Sequence, residues 1–312
     1  MELHTTLIST SVVLLATAGL SWAQEKEIPS WAPKPEARTP YRPPHKPHTK
    51  LSEVRAKHNG KKEWRERVVD DDHITADYVY HQPGFRIGRR FHSDTREWWV
   101  ILDGEVRFKI EGQDDVLAKK GGMVQVPAQT IFNYEVLGNK PALLFDVNIA
   151  RAHYLYPQDV KPPDTPGVEW LPVTLRRSPF PYGHDNKPMI NLYEIAKKVI
   201  NEGKGTGMTR FIHDDRAVSN AIYGFENSLP PLNPKNRGHY HPECAEFWLV
   251  MAGQIRYPVE GQGVIIAGEG DVVYVPPFTF HAPRFHGDQF ACRLAINGYP
   301  NIAHLFDSAL PH

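Results

Sequence analysis

From residue 67 onward the chain alternates between short apolar runs and polar punctuation. VVDDDHITADYVYHQPGF, FHSDTREWWVILDGEVRFKIEGQ, GGMVQVPAQTIFNYEV and ALLFDVNIA are rich in Val, Ile, Phe, Tyr and Trp, and Gly, Pro, Asp and Asn separate them. β-Branched and aromatic residues suit a pleated, half-buried surface, and turn residues at this spacing predict an all-β barrel or sandwich. Two stretches break the pattern. In NLYEIAKKVINEG, residues 191–203, apolar side chains stand at 192, 195, 196, 199 and 200, with Asn191 as a cap and Gly203 as a stop, so a helix is predicted there. A shorter helix is expected over 51–58, ended by Asn59 and Gly60.

The pattern repeats. A shift of 149 positions, that between Glu97 and Glu246, brings His92 onto His241, Gly104 onto Gly253, Arg107 onto Arg256, Gly121 onto Gly270 and Pro127 onto Pro276 without a gap. Further upstream VVDDDHITADYVY echoes FIHDDRAVSNAIY, with an insertion between. Two copies of one unit are therefore expected. Their spans are 67–150 and 207–312, joined by a proline-rich connector at 151–206 that carries the predicted linking helix and otherwise reads as a lid or strap.

The second copy concentrates the candidate chemistry. His239 and His241 are two apart, so on a strand they share a face. Glu246 follows on the same apolar run, and His281 comes after Gly270-Asp271 and VVYVPP. Imidazoles and a carboxylate suit a divalent transition ion, and four of them can hold one ion while leaving positions open.

This spacing, H-x-H-x4-E-x6-G followed by G-D-x4-P-x4-H, resembles the paired motif of the cupin superfamily. The resemblance implies two tandem double-stranded β-helix (jelly-roll) barrels, and it places His239, His241, Glu246 and His281 on the four metal-ligand positions. Asn233 departs from the pattern, standing where the family carries glycine six residues before the first ligand; the first copy keeps that glycine as Gly84. One divalent metal per chain is implied, with Fe, Mn, Cu, Ni, Co and Zn all compatible. The implied chemistry is that of an oxidoreductase of dioxygenase type acting on a small organic substrate. A non-catalytic binding or storage bicupin and a metal-dependent lyase or isomerase are the alternatives. Cupins often pair through sheet edges, and because the internal repeat already supplies one such pairing, the resemblance is compatible with a monomer as well as with a homodimer.

In the same register the first copy differs. Arg90 stands opposite His239 and Phe132 opposite His281, while His92 and Glu97 remain. A guanidinium sits where a cation would have to be, and it can pair with Glu97, so the first copy is expected to be metal-free and structural. Trp248, Tyr274, Phe278 and Phe280 lie near the ligands in sequence and are expected to be core. Arg107 and Arg256, matched between copies, are expected to make one shared structural salt bridge. Tyr240 and Glu243 lie within the motif on faces that the spacing does not determine.

Composition narrows the setting. Net charge is zero, which argues against a phosphate-backbone partner, and 41% apolar residues suffice for a core. Residues 7–20 are an uncharged apolar block, short for a bilayer, ending at Ser21-Trp22-Ala23. A cleaved signal peptide over 1–23 is expected, giving a secreted or periplasmic protein with no membrane segment after cleavage; an uncleaved membrane anchor is the competing reading. Residues 24–66 follow as a proline-rich arm, in which His45 and His48 read as solvated. Cys244 and Cys292 allow either one disulfide or two buried thiols.

Overall fold

Each of the two copies folds as a six-stranded sheet faced by a three-stranded one. The chain enters with β1 (His48–Thr49) and α1 (Leu51–Lys57). The first copy follows as β2 (Trp64–Asp70), β3 (Ile74–His81), β4 (Glu97–Asp103), β5 (Glu105–Ile110), β6 (Val116–Lys119), β7 (Gly122–Val126), β8 (Phe132–Val136) and β9 (Ala142–Ile149). Then come β10 (Met189–Asn191), α2 (Leu192–Ile195) and α3 (Lys197–Glu202). The second copy comprises β11 (Thr206–His213), β12 (Val218–Gly224), β13 (His239–Tyr240), β14 (Glu246–Ala252), β15 (Gln254–Val259), β16 (Gly263–Gly268), β17 (Val272–Val275), β18 (Arg284–His286), β19 (Ala291–Asn297) and β20 (Leu305–Phe306). This computed structural model describes residues 28–177, 182–183 and 186–307. The expected signal peptide lies outside them. From Lys34 onward the described residues form one compact unit. Among the described residues no helix is long and apolar enough to cross a membrane.

The large sheets run β10-β7-β4-β9-β3-β2 and β1-β17-β14-β19-β12-β11, and the small ones β6-β5-β8 and β16-β15-β18. Two tandem antiparallel barrels result, the all-β fold expected from the punctuated apolar runs. The central strands are buried on both faces. On β4, Trp99 and Ile101 point into the first barrel with Phe108 and Phe132. Their neighbours Trp98 and Val100 point outward, into a core shared with Phe247 and Leu249 of β14. On β14 the other parity, Trp248 and Val250, fills the second barrel with Tyr257. Each such side chain removed from water contributes on the order of 2–3 kcal/mol. Glu97 and Glu246, first residues of β4 and β14, share the inward parity with Trp99 and Trp248.

The segments preceding the copies are exchanged. β1 adds to β17 of the second copy, with His48 opposite Val273. β10 adds to β7 of the first, with Ile190 opposite Met123. The short helices that follow seal matching glycines. A Cβ on Gly121 would sit 2.8 Å from Tyr193, and one on Gly270 would sit 2.4 Å from Leu51. Buried polar contacts also join the halves. Arg96 donates to Asp214 (2.9 Å) and to Gln125 (2.6 Å), and Gln125 donates to the Phe211 carbonyl (2.9 Å). Tyr78 donates to the Gly270 carbonyl.

Local expectations need several corrections. The helix expected over 191–203 is split at Ala196 (φ −92°, ψ 1°) into α2 and α3. Its ends are as expected: Asn191 accepts from the Tyr193 amide, and Gly203 is left-handed at φ 62°. The first copy's own strands begin at Trp64, before residue 67, because Trp64 pairs with and stacks on Tyr80 at 5.4 Å. His45 and His48 are docked rather than solvated. His48 bonds Asp271 at 2.8 Å, and His45 stacks on Tyr274 at 4.1 Å while accepting from the Asp70 amide. Both cysteines are free and buried, the second of the two readings.

Glycine is required where the β4–β5 and β14–β15 hairpins turn. Gly253 has φ 62°, and a Cβ there would meet the Phe290 carbonyl oxygen at 2.4 Å. Gly263 has φ 75° with nothing within 4 Å. Gly253→Ala is therefore expected to cost about 3 kcal/mol and Gly263→Ala about 1 kcal/mol, the difference being the backbone clash. Urea denaturation of the two variants checks the ranking; equal losses would contradict it.

Candidate metal centre

The four residues arrive from three directions because the second barrel folds back over itself. His239 and His281 form an antiparallel backbone pair: the His239 amide donates to the His281 carbonyl (3.1 Å) and the His281 amide to that of His239 (2.9 Å). Paired residues share a face. Gly238 makes this approach feasible, since a Cβ there would lie 1.9 Å from the His281 oxygen. Phe278, left-handed at φ 62°, turns the chain so that its amide donates to the His241 carbonyl at 2.8 Å. Gln129 repeats this turn in the first copy at φ 58°, its amide donating to the His92 carbonyl. A left-handed non-glycine costs of order 1 kcal/mol, and both barrels carry it at the same place.

One donor atom each from His239, His241, Glu246 and His281 lies within 4.8 Å of all the others. Among the described residues no other group of three or more such donors converges. Glu246 Oε2 is the hub: His241 Nε2 is at 2.9 Å, His281 Nε2 at 3.0 Å and His239 Nε2 at 4.0 Å. His281 Nε2 and His239 Nε2 are 3.1 Å apart. Ligands at right angles around one transition ion, each about 2.1 Å from it, stand about 3 Å apart, so the donor set fits such an ion. Backbone carbonyls fix the rings. His241 Nδ1–H donates to Ala303 (2.8 Å) and His281 Nδ1–H to Thr279 (2.9 Å), which leaves both Nε2 atoms facing the hub.

Burial and charge set the protonation of the centre. Burial pushes Glu246 up, but hydrogen bonds from His241 and His281 outweigh it and hold the carboxyl well below its ordinary range. Burial pulls His241 down, and the Glu246 hydrogen bond and charge more than offset that, so its pKa is raised. His239 is lowered to about 2, by burial first and then by the His281 charge. A metal thus meets a neutral His239 and an ionised Glu246, and it competes with the proton that Glu246 helps His241 to retain.

The first barrel presents the same frame with different contents. Arg90 and Phe132 form the bridge that His239 and His281 form in the second. Glu97 is fully buried. Arg90 Nη2 lies 3.5 Å from its Oε1, Tyr154 donates to that oxygen at 2.7 Å, and His92 Nε2 meets Oε2 at 3.0 Å. The guanidinium stacks over the Tyr154 ring at 3.8 Å. The expected Arg90–Glu97 pair is present.

The remaining candidates divide. Trp248 sets its edge against His281 at 5.1 Å. Tyr274 belongs to the core between the halves, and Phe280 packs on Tyr240 at 4.9 Å beneath the Arg237 guanidinium. Glu243 is exposed. The shared arginine salt bridge holds in one copy alone. Arg107 pairs with Glu135 at 2.8 Å, but the residue matching Glu135 is Arg284, which stands directly opposite Arg256. Like charges face each other there, so Arg256 lacks that partner. Two residues were missed by sequence reasoning. His304 lies 4.6 Å from His239 and 4.8 Å from His241, ring centre to ring centre, and Phe306 lies 5.3 Å from His239. They follow the motif by more than twenty residues, past a one-residue insertion relative to the first copy, so the ungapped repeat did not reveal them.

Comparison with known proteins agrees with this architecture. The Cupin domain model matches residues 78–148 and again 228–297. Salicylate 1,2-dioxygenase from Pseudaminobacter salicylatoxidans is similar with a TM-score of 0.60 at 11% identity, over 85% of this chain and 86% of that one. The cupin 2 conserved barrel domain protein from Leptotrichia buccalis has a TM-score of 0.52 at 12% identity, over 79% and 90%. Oxalate decarboxylase from Bacillus subtilis has a TM-score of 0.50 at 18% identity, over 79% and 74%. At these identities the likeness establishes the fold. No curated protein sequence matches the chain.

Two outcomes are expected. Metal analysis of the purified chain gives one equivalent, and titration in buffers of different ionisation enthalpy shows protons released on binding, with His241, whose pKa is raised, as their source. Affinity rises with pH through the region above the ordinary histidine pKa, because only there is His241 free of its proton; pH-independent affinity would contradict this. Arg90→Met strands a buried carboxylate and costs about 3 kcal/mol in urea denaturation while leaving metal stoichiometry at one.

Proposed function

Because the chain belongs to the cupin superfamily as a two-barrel member, we propose that it is a metal-dependent oxidoreductase of dioxygenase type that acts on a small organic molecule. The convergence of three imidazoles and one carboxylate on a single point carries this reading. His239, His241, Glu246 and His281 would hold the ion. When bound, a redox-active divalent metal supplies Lewis acidity and a place where dioxygen and substrate meet.

The chain's own residues prepare that place. His241 and His281 are aimed by their backbone hydrogen bonds and need no reorganisation. Trp248, Tyr257 and Val259 fill the barrel behind the centre and exclude water from that side. Side-chain exposure is 18% for His239 against 2% for His241 and 1% for His281, so approach is from the His239 side. The apolar block at 7–20 with its small-residue end supports export of the protein.

Oxygen uptake by the iron-loaded protein, measured against a panel of phenols, diketones and carboxylates, tests the reaction type. Uptake with at least one class, lost in His281→Ala, is the expected result. If no compound consumes oxygen and His281→Ala lowers the melting temperature sharply, a metal-stabilised binding protein replaces the enzyme reading.

A further inference from the structure

His304 stands in the relation to the centre that a ligand would. Its ring lies 4.6 Å from that of His239 and 4.8 Å from that of His241. The three motif rings are spaced 4.5 to 5.3 Å from one another. The compact group of four donor atoms does not include His304. Its ring therefore keeps the spacing of a ligand while its nitrogens remain outside the cluster. It is exposed, on the side from which the centre is reached.

The repeat shows what this backbone position is built to do. Tyr240 pairs with Leu305 in the second copy, as Phe91 pairs with Leu155 in the first. His241 Nδ1 bonds the Ala303 carbonyl, as His92 Nδ1 bonds that of His153. His304 thus corresponds to Tyr154. In the first copy Tyr154 reaches the ligand-position carboxylate directly, donating to Glu97 at 2.7 Å. The position aims its side chain at the centre of the barrel, and in the second copy that side chain is an imidazole.

We infer that His304 is a fifth, exchangeable ligand, which caps the metal on its accessible side in the resting protein and yields to incoming substrate. This rests on the reading of the centre as a metal site. The backbone beside His304 is already placed by the β13–β20 pairing, so capping calls for movement of the side chain rather than of the strand.

The test uses the full chain loaded with Co(II), beside His304→Ala and His304→Gln. The visible Co(II) bands are expected to shift in both variants, and free imidazole should restore the wild-type bands in His304→Ala. Azide should bind about tenfold more tightly to the variants if His304 occupies its position about nine-tenths of the time. Bands and azide affinity identical to wild type in both variants would overturn the inference while leaving the four-ligand centre standing. A wild-type chain that takes up no Co(II) overturns the centre itself, and this inference with it.

Discussion

A buried carboxylate at the head of each barrel is the constraint around which both halves are arranged. Glu97 and Glu246 occupy the same inward position on β4 and β14, 0% and 7% exposed. An ionised carboxylate so placed must be neutralised and hydrogen-bonded locally, or it gives up its charge. The two halves answer differently. In the first, a guanidinium, a phenol and an imidazole surround Glu97. In the second, three imidazoles surround Glu246, an arrangement that suits a divalent ion in place of the shared protons. Exchange of two residues in one backbone bridge, Arg90 and Phe132 for His239 and His281, marks the difference between a filled site and a coordinating one.

Much of this was legible because the repeat is ungapped where it matters. From Glu97 and Glu246 through Pro127 and Pro276 one register holds, and the structure keeps it in the left-handed turns at Gln129 and Phe278. The double burial of β4 and β14 was less legible. EWWVILD and EFWLVMA show no alternation, because one parity packs inside a barrel and the other between barrels. The contribution of β1 and β10 was hidden for another reason. They join through backbone hydrogen bonds, to which proline-rich flanks give no side-chain signature. Arg256 misled because matched positions were assumed to have matched partners, and Arg284 breaks that symmetry.

Exchange of the leading segments explains why the halves form one unit. Each barrel completes its large sheet with a strand that enters from the other's territory, and a helical turn behind that strand covers a glycine of the other copy. Removing either leading segment would uncover a sheet edge and a glycine-sized hollow together. The shared core of Trp98, Phe247 and their neighbours then has apolar surface on both sides that neither barrel alone could keep from water.

The asymmetry also decides where function can reside. In the first barrel Tyr154 and Arg90 close over Glu97, and the guanidinium and phenol occupy the space beside the carboxylate. In the second, the corresponding cover is β20, held to β13 by two residue pairs, by the His241 hydrogen bond to the Ala303 carbonyl at 2.8 Å and by the exposed ion pair between Arg237 and Asp307 at 3.1 Å. Exposed ion pairs contribute at most about 1 kcal/mol, and a two-residue strand adds little cooperative hold. The side of the centre from which His239 is reached is thus covered by a short segment, tied down chiefly at Leu305, Phe306 and the Ala303 carbonyl. What can approach Glu246 depends on a short C-terminal segment whose His304 and Phe306 have no counterpart in the motif that carries the ligands.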